Sequence, residues 1–292
     1  MTAVLVTGAT GNVGSAVVAE LTRRRAGVRA FVRDAAAARA LLGDDVELAV
    51  GELGDGESVA RALDGVDRVF LACGNVPGQV EYETGVVDAA ARAGVRRIVK
   101  LSAGGARAGS PLVFWDWHGR IEEHLAASGV PAVVLRPTSY MTNLLASAGA
   151  IAGGGRLFAP ADEARVAMID PRDVAAVAAA ALTDARHEGE TYVLTGPQAL
   201  GFVEIAAALS QATGRTIEFV DVSDDDARRG LLAAGMPELL ADFLVGLFAA
   251  QRAGAHATTT DTVRSVTGAQ PRGIAEFARE HAAAFGGVPV AR

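Results

Sequence analysis

The sequence predicts an α/β fold, a doubly wound parallel sheet carrying a smaller, mainly helical C-terminal part. Three observations predict it. An apolar run, Ala3-Val4-Leu5-Val6, leads into Thr7-Gly8-Ala9-Thr10-Gly11-Asn12-Val13-Gly14, and an amphipathic stretch, Ser15–Arg25, leads out. Short apolar runs then alternate with helical patterns as far as Arg136. Continuous apolar, β-branched pairs such as Ile98-Val99 and Val133-Val134 suit strands buried on both faces.

Taken in order, the expected strands are Val4–Thr7, Val28–Val32, Glu47–Val50, Arg68–Ala72, Arg97–Ser102 and Ala132–Arg136. The helices between them are Ser15–Arg25, Ala35–Leu42, Ser58–Leu63, Glu81–Ala93 and Phe114–Ser128. After Pro137 the rhythm changes. Met141–Ile151 reads as helix and is broken by Gly153-Gly154-Gly155; Val166–Ile169 is a short strand. Asp170-Pro171 starts the Ala-rich helix Val174–Leu182, since proline is tolerated in a first turn. Thr191–Leu194 is a strand that can return to the main sheet. Beyond Gly196, helices are expected at Phe202–Thr213, Ser223–Ala234, Pro237–Arg252 and Gly273–Phe285, with one strand, Thr216–Val222. The expected division is a nucleotide-binding part, 1–137 with a returning segment at 165–196, and a part covering its crevice, 138–164 with 197–292. That crevice belongs beyond the carboxyl ends of the strands.

The chain has 292 residues, half of them apolar, so a sizeable core can be buried. Its net charge of −7 and lack of a Lys/Arg block argue against nucleic-acid binding. The single cysteine, Cys73, excludes an intrachain disulfide and a cysteine zinc site, and reads as a small strand-end residue. The five histidines show no metal-ligand spacing, so no metal is expected. With no charged-then-apolar leader and no apolar run of about 18 residues, a soluble cytoplasmic protein is expected, without a membrane partner. A homodimer is compatible with the sequence.

Gly8, Gly11 and Gly14 have GxxGxxG spacing between a strand and a helix. A helix N-terminus offers unpaired N–H groups and partial positive charge, and glycine lets a pyrophosphate come close. A dinucleotide is therefore expected here. The second strand ends in Val32-Arg33-Asp34. Arg33 can pair with a 2′-phosphate through its planar fork, which favours NADP(H) over NAD(H); the competing reading has Asp34 accept from the ribose. Arg29 is a candidate second cation. Glu52, Ala72 and Gly74, at the ends of the third and fourth strands, are candidate neighbours of the adenosine half.

The opening TGATGNVG, the strand-end FVRD, the IVKLSA strand, and the segments WHGRIEEHLAASGVP, LRPTSYMTNLL and VTGAQPRGIAEFAREH resemble the NmrA-like group of atypical short-chain dehydrogenases/reductases. The resemblance spans essentially the whole chain and implies a Rossmann-type sheet. It also implies an NADP(H) site made by Gly8, Thr10, Gly11, Asn12, Val13, Gly14 and Arg33. Ordinary members of the wider superfamily carry Tyr-x-x-x-Lys on one helix face. Alignment on Ile121-Glu122-Glu123 puts Phe114 and His118 at those two positions. Phe114 has no proton to donate. His118, with Glu122 four residues on, is similar in spacing to the type-2 quinone oxidoreductases. Lys100 reads as a solvated strand-end charge, with a reach to the cofactor the competing role. Ser102, by the same resemblance, would hydrogen-bond a substrate oxygen.

Candidate catalytic residues are thus His118, Tyr140 and Ser102. Phe114, Trp117, Met141 and Asn143 are candidate substrate contacts, with core packing the competing role for Trp115 and Trp117 and helix capping that for Asn143. The expected function is NADP(H)-dependent hydride transfer to a small flat molecule, a quinone or conjugated carbonyl. The alternatives are a non-catalytic NADP(H)-sensing regulator and a natural-product tailoring reductase or isomerase.

Overall fold

The computed structural model describes residues 3–287. In chain order the elements are β1 Ala3–Val6, α1 Asn12–Arg23, β2 Gly27–Val32, α2 Ala35–Leu42, β3 Glu47–Val50, α3 Gly56–Leu63, β4 Val66–Leu71, α4 Gln79–Arg92, β5 Arg97–Leu101, α5 Val113–Ala127 and β6 Ala132–Pro137. A 3-10 helix, Met141–Ser147, precedes α6 Ala148–Gly154, β7 Arg156–Ala159, β8 Arg165–Val166, α7 Pro171–Thr183, β9 Thr191–Leu194 and β10 Leu200–Gly201. The remainder is α8 Phe202–Thr213, β11 Glu218–Asp221, α9 Asp224–Ala233, α10 Glu238–Arg252, α11 Thr262–Thr267, α12 Ile274–Glu280 and a 3-10 turn, Ala282–Phe285.

Seven strands form one sheet in the order β3-β2-β1-β4-β5-β6-β9, every pair parallel. The order reverses between β1 and β4. Right-handed crossovers running in opposite directions from that point place helices on both faces. α1 packs with α2 and α7, whereas α3, α4 and α5 pack in series. Both faces of the sheet are therefore covered, which explains why its strands read as continuous apolar runs. Thr191–Leu194 does return to this sheet, pairing with β6 from Val134↔Thr191 to Pro137↔Leu194.

The chain divides into two compact units. The first holds the described residues to Pro137, Pro171–Leu194 and Thr262–Ala269; the second holds Thr138–Asp170, Thr195–Asp261 and the described residues from Gln270. Residues 165–170, expected with the returning segment, thus lie in the second unit, and Thr262–Ala269 lies in the first. The first unit's core includes Leu5, Phe31, Leu63, Val69, Val86, Ile98 and Leu125. The second unit has its own core around Ile151, Leu157, Phe202, Leu209, Phe277 and Phe285.

Five elements differ from expectation. The triple glycine does not break its helix at once: Gly153 and Gly154 complete α6, and Gly155, at φ +64°, stops it in the left-handed conformation. The chain then enters β7, which pairs in parallel with β11, a long-range partner that local pattern does not reveal. Val166–Ile169 is mostly irregular. Only Val166 belongs to a ladder, and Ile169 makes a single parallel bridge to Tyr140. Gly273–Phe285 is interrupted at His281. α11, six residues long and packed on α7, has no periodic signature of its own.

Candidate functional site

The glycine turn follows β1. Gly8 has φ +59°, and a Cβ there would lie 3.0 Å from the Ala72 carbonyl oxygen. A Cβ on Gly14 would lie 2.1 Å from the Gly8 carbonyl oxygen, so Gly14 lets the helix seat against the turn. Gly11 N–H donates to the Gly8 carbonyl at 2.9 Å. Thr7 ties the turn to β4: its hydroxyl accepts from Ala72 N–H and donates to the Ala72 carbonyl, both at 2.8 Å. α1 starts behind Gly11 with no side chain capping it. Thr10, Gly11 and Asn12 are exposed, while Val13 and Gly14 are buried under the first turn.

At the end of β2, Asp34 and Arg33 differ in their commitments. Asp34 Oδ1 accepts from Ala36 N–H at 2.8 Å and Ala37 N–H at 3.1 Å, capping α2. Arg33 is exposed, and among the described residues no carboxylate or carbonyl pairs with it. Arg29, the candidate second cation, is not free to serve. Its guanidinium binds Glu47 at 2.6 Å and the carbonyls of Ala62 and Asp64 at 2.9 and 2.7 Å. Ala72 is buried and Gly74 exposed after β4. Glu52 is exposed after β3, its backbone held by the Ser58 hydroxyl.

Beyond β5 a second group of side chains converges. Lys100, expected to be solvated, is fully buried. Its ammonium lies 2.8 Å from Glu83 Oε2 and 3.2 Å from His118 Nδ1, and also donates to the Leu101 carbonyl. Glu83 is fully buried too, and its other oxygen accepts from Gln79 Nε2 at 2.9 Å. The correction has a plain cause: β5 is an inner strand covered on both faces, so its lysine has no route to water and needs an internal counter-charge. His118 is 7% exposed, and burial together with the Lys100 charge holds its imidazole well below the usual histidine range. It is neutral at pH 7.

One helical turn beyond His118, Glu122 takes two hydrogen bonds from the Arg136 guanidinium, one of them from Nε at 3.1 Å, and a third from the Ser102 hydroxyl. Ser102 is therefore buried and engaged by a carboxylate in this structure. Phe114 is buried and stacks at a tilt on Trp117, with ring centroids 5.1 Å apart. Cys73 is half-buried, and burial with the nearby Glu83 carboxylate pushes its thiol up to about 11.

Tyr140, Met141 and Asn143 belong to the second unit. Burial raises the Tyr140 phenol, which stays protonated. Met141 is buried and, with Met168, Leu200 and Ile205, lines an apolar pocket within that unit. Asn143 is exposed and caps neither neighbouring helix, since Tyr140 and Ser147 occupy those positions. The structure thus groups His118 and Ser102 with Phe114 and Trp117 in one unit. The Glu83–Lys100 pair and the Glu122–Arg136 pair were not anticipated. The available signal was a lysine inside the apolar run Ile98–Leu101. Among the described residues, no group of three or more His, Cys, Asp or Glu could hold a metal ion, and no helix is long and apolar enough to cross a membrane.

The chain is similar along nearly its whole length to known proteins. An NAD(P)H azoreductase of Xenophilus azovorans is 42% identical over 97% of this chain and 99% of its own length. A (4-alkanoyl-5-oxo-2,5-dihydrofuran-3-yl)methyl phosphate reductase of Streptomyces griseus is 40% identical over 97% and 99%. The crystal structure of an NADPH-dependent quinone oxidoreductase from Escherichia coli, complexed with NADPH, superposes with a TM-score of 0.87 at 30% identity, covering 95% of this chain and 99% of that one. The model of the NmrA-like family matches residues 1–272, and this chain is a member of that family and an oxidoreductase.

Proposed function

We propose that this oxidoreductase transfers a hydride from NADPH to a flat, electron-poor conjugated acceptor, a quinone or conjugated carbonyl, without a tyrosine–lysine acid pair. The residues fit that cofactor. Gly8 leaves open the space that a Cβ would fill, α1 begins at an uncapped glycine, and Arg33 is uncommitted. The observation that carries the reading is the division of labour at the end of β2. Asp34 is used as a helix cap, so the polar group left to meet the ribose is a cation suited to a 2′-phosphate.

When bound, NADPH supplies the hydride. The chain's own part is to bind, orient and balance charge. Phe114, expected as a substrate contact, is instead packed in the interior against Trp117, so the position of the superfamily's acid holds a buried hydrocarbon ring with no proton to give. His118 is neutral and is no proton reservoir at pH 7. A quinone suits such a site because hydride addition gives a hydroquinone anion, which takes its proton from water. The Streptomyces griseus relative favours a second, narrower reading, a tailoring reductase. Its substrate name describes a ring double bond conjugated to two carbonyls.

NADPH consumption followed with a benzoquinone, an azo dye and an acyl-substituted unsaturated lactone tests both readings. Turnover with at least one of them is expected, and the lactone as best substrate would select the tailoring reading. No turnover above the uncatalysed rate with any, while calorimetry shows NADPH bound, would leave the sensor reading in place of catalysis.

A further inference from the structure

The chain has 27 lysine and arginine residues, and Lys100 is its single lysine. Everywhere else the basic side chain is a guanidinium. The one position that keeps an ammonium is a fully buried one, where three acceptors surround a single nitrogen. An ammonium carries three N–H donors and no acceptor, a compact point charge that a planar guanidinium cannot imitate. The Leu101 carbonyl and His118 Nδ1 lie within hydrogen-bond reach of the Lys100 ammonium, and Glu83 Oε2 supplies the counter-charge 2.8 Å away.

That arrangement has a consequence for the imidazole. With Nδ1 accepting from Lys100, a neutral His118 must carry its hydrogen on Nε2. Among the described residues no group pairs with Nε2. The charged and titratable neighbours agree with a neutral ring. Glu83 on α4 is spent on Lys100 and Gln79, Glu122 on α5 is neutralised by Arg136 of β6, and Cys73 after β4 is an uncharged thiol.

We propose that the buried Glu83–Lys100 pair is a positioning device that locks His118 as the Nε2–H tautomer, making His118 a fixed neutral hydrogen-bond donor toward an acceptor oxygen or nitrogen. The placing of that oxygen or nitrogen in a reducible substrate rests on the function proposed above; the tautomer does not. His118 then polarises the acceptor while hydride arrives, and transfers no proton itself. Arginine cannot replace Lys100, because its fork has no room and the wrong shape for three converging acceptors.

The single lysine makes the test direct. Chain labelled with nitrogen-15 in lysine and histidine gives one side-chain ammonium signal, and the loss of one ring in His118→Gln assigns His118. The expected result is a protected ammonium coupled across a hydrogen bond to Nδ1. The ring should stay neutral and Nε2-protonated at pH 7 and still be neutral at the ordinary histidine midpoint of about 6.5. A ring protonated on Nδ1, or an imidazolium at neutral pH, would overturn the proposal, and this measurement needs no variant. In Lys100→Met/Glu83→Gln, which removes both charges together, His118 should show mixed tautomers. The kcat should fall about tenfold while KM for NADPH stays within about twofold. Lys100→Arg should not restore kcat. An unchanged tautomer and kcat in the double variant would count against the device. The locked tautomer in a chain that reduces nothing would remove the reductase reading and leave this one intact.

Discussion

Lys100 and Glu83 stabilise one another only as a pair. Two charges withdrawn from water are costly singly, and each is tolerable here because the other is 2.8 Å away. Lys100→Met strands a buried carboxylate and should cost about 3–5 kcal/mol in urea unfolding, whereas the double change with Glu83→Gln should cost far less. Equal losses would show that packing, rather than charge, dominates the site. His118 predicts a pH dependence of stability. Its folded-state pKa is depressed below the unfolded value of about 6.5, so the unfolded chain binds the extra proton. Stability from this group is complete above about pH 6.5 and falls as pH drops toward the folded value, by up to about 1.4 kcal/mol per pH unit. His118→Gln should flatten that slope in thermal melts, and an unaltered slope would assign it to other groups.

At the scale of elements, the glycine turn joins sequence to function most directly. Gly14 is buried beneath the first turn of α1, and its missing Cβ is what allows the helix to approach Gly8. Gly14→Ala should cost about 1–3 kcal/mol through overpacking and weaken NADPH binding as well, both readable from melts with and without cofactor. An alanine variant with native stability and affinity would mean the turn relaxes freely. This element was legible in the sequence because strand, turn and helix are contiguous there. α2 was legible as the helix Ala35–Leu42, whereas Asp34, read as a competing ribose acceptor, proves to be its cap. β7 was not, because it exists only through pairing with β11, which lies far along the chain. α11 was not, because six residues carry too little periodicity and its partner, α7, supplies the order.

At the scale of the whole molecule, the same distinction separates the legible from the hidden parts of the candidate site. Groups that act through the backbone, such as Gly8 and the start of α1, are written in local spacing. Arg33 is legible because it ends a strand whose neighbours fix its place. The Glu83–Lys100–His118 and Ser102–Glu122–Arg136 groups each draw on two or three elements that only the parallel sheet brings together. A lysine amid apolar residues signalled that a partner was needed without naming it. The acceptor is the least local property of all. Relatives with an azo, a quinone and a dihydrofuranone in their names share this chain's frame.

The central claim is that an adenine dinucleotide with an extra 2′-phosphate meets Arg33 beside the glycine turn. Calorimetric titration of wild-type and Arg33→Ala chain with NADPH and NADH tests it most directly. The account predicts tighter NADPH binding in the wild type. The variant should lose about 10- to 100-fold in NADPH affinity, the worth of charge-assisted hydrogen bonds, with NADH unchanged. Tighter binding of NADH by the wild type, or no heat with either cofactor on folded protein, would contradict it.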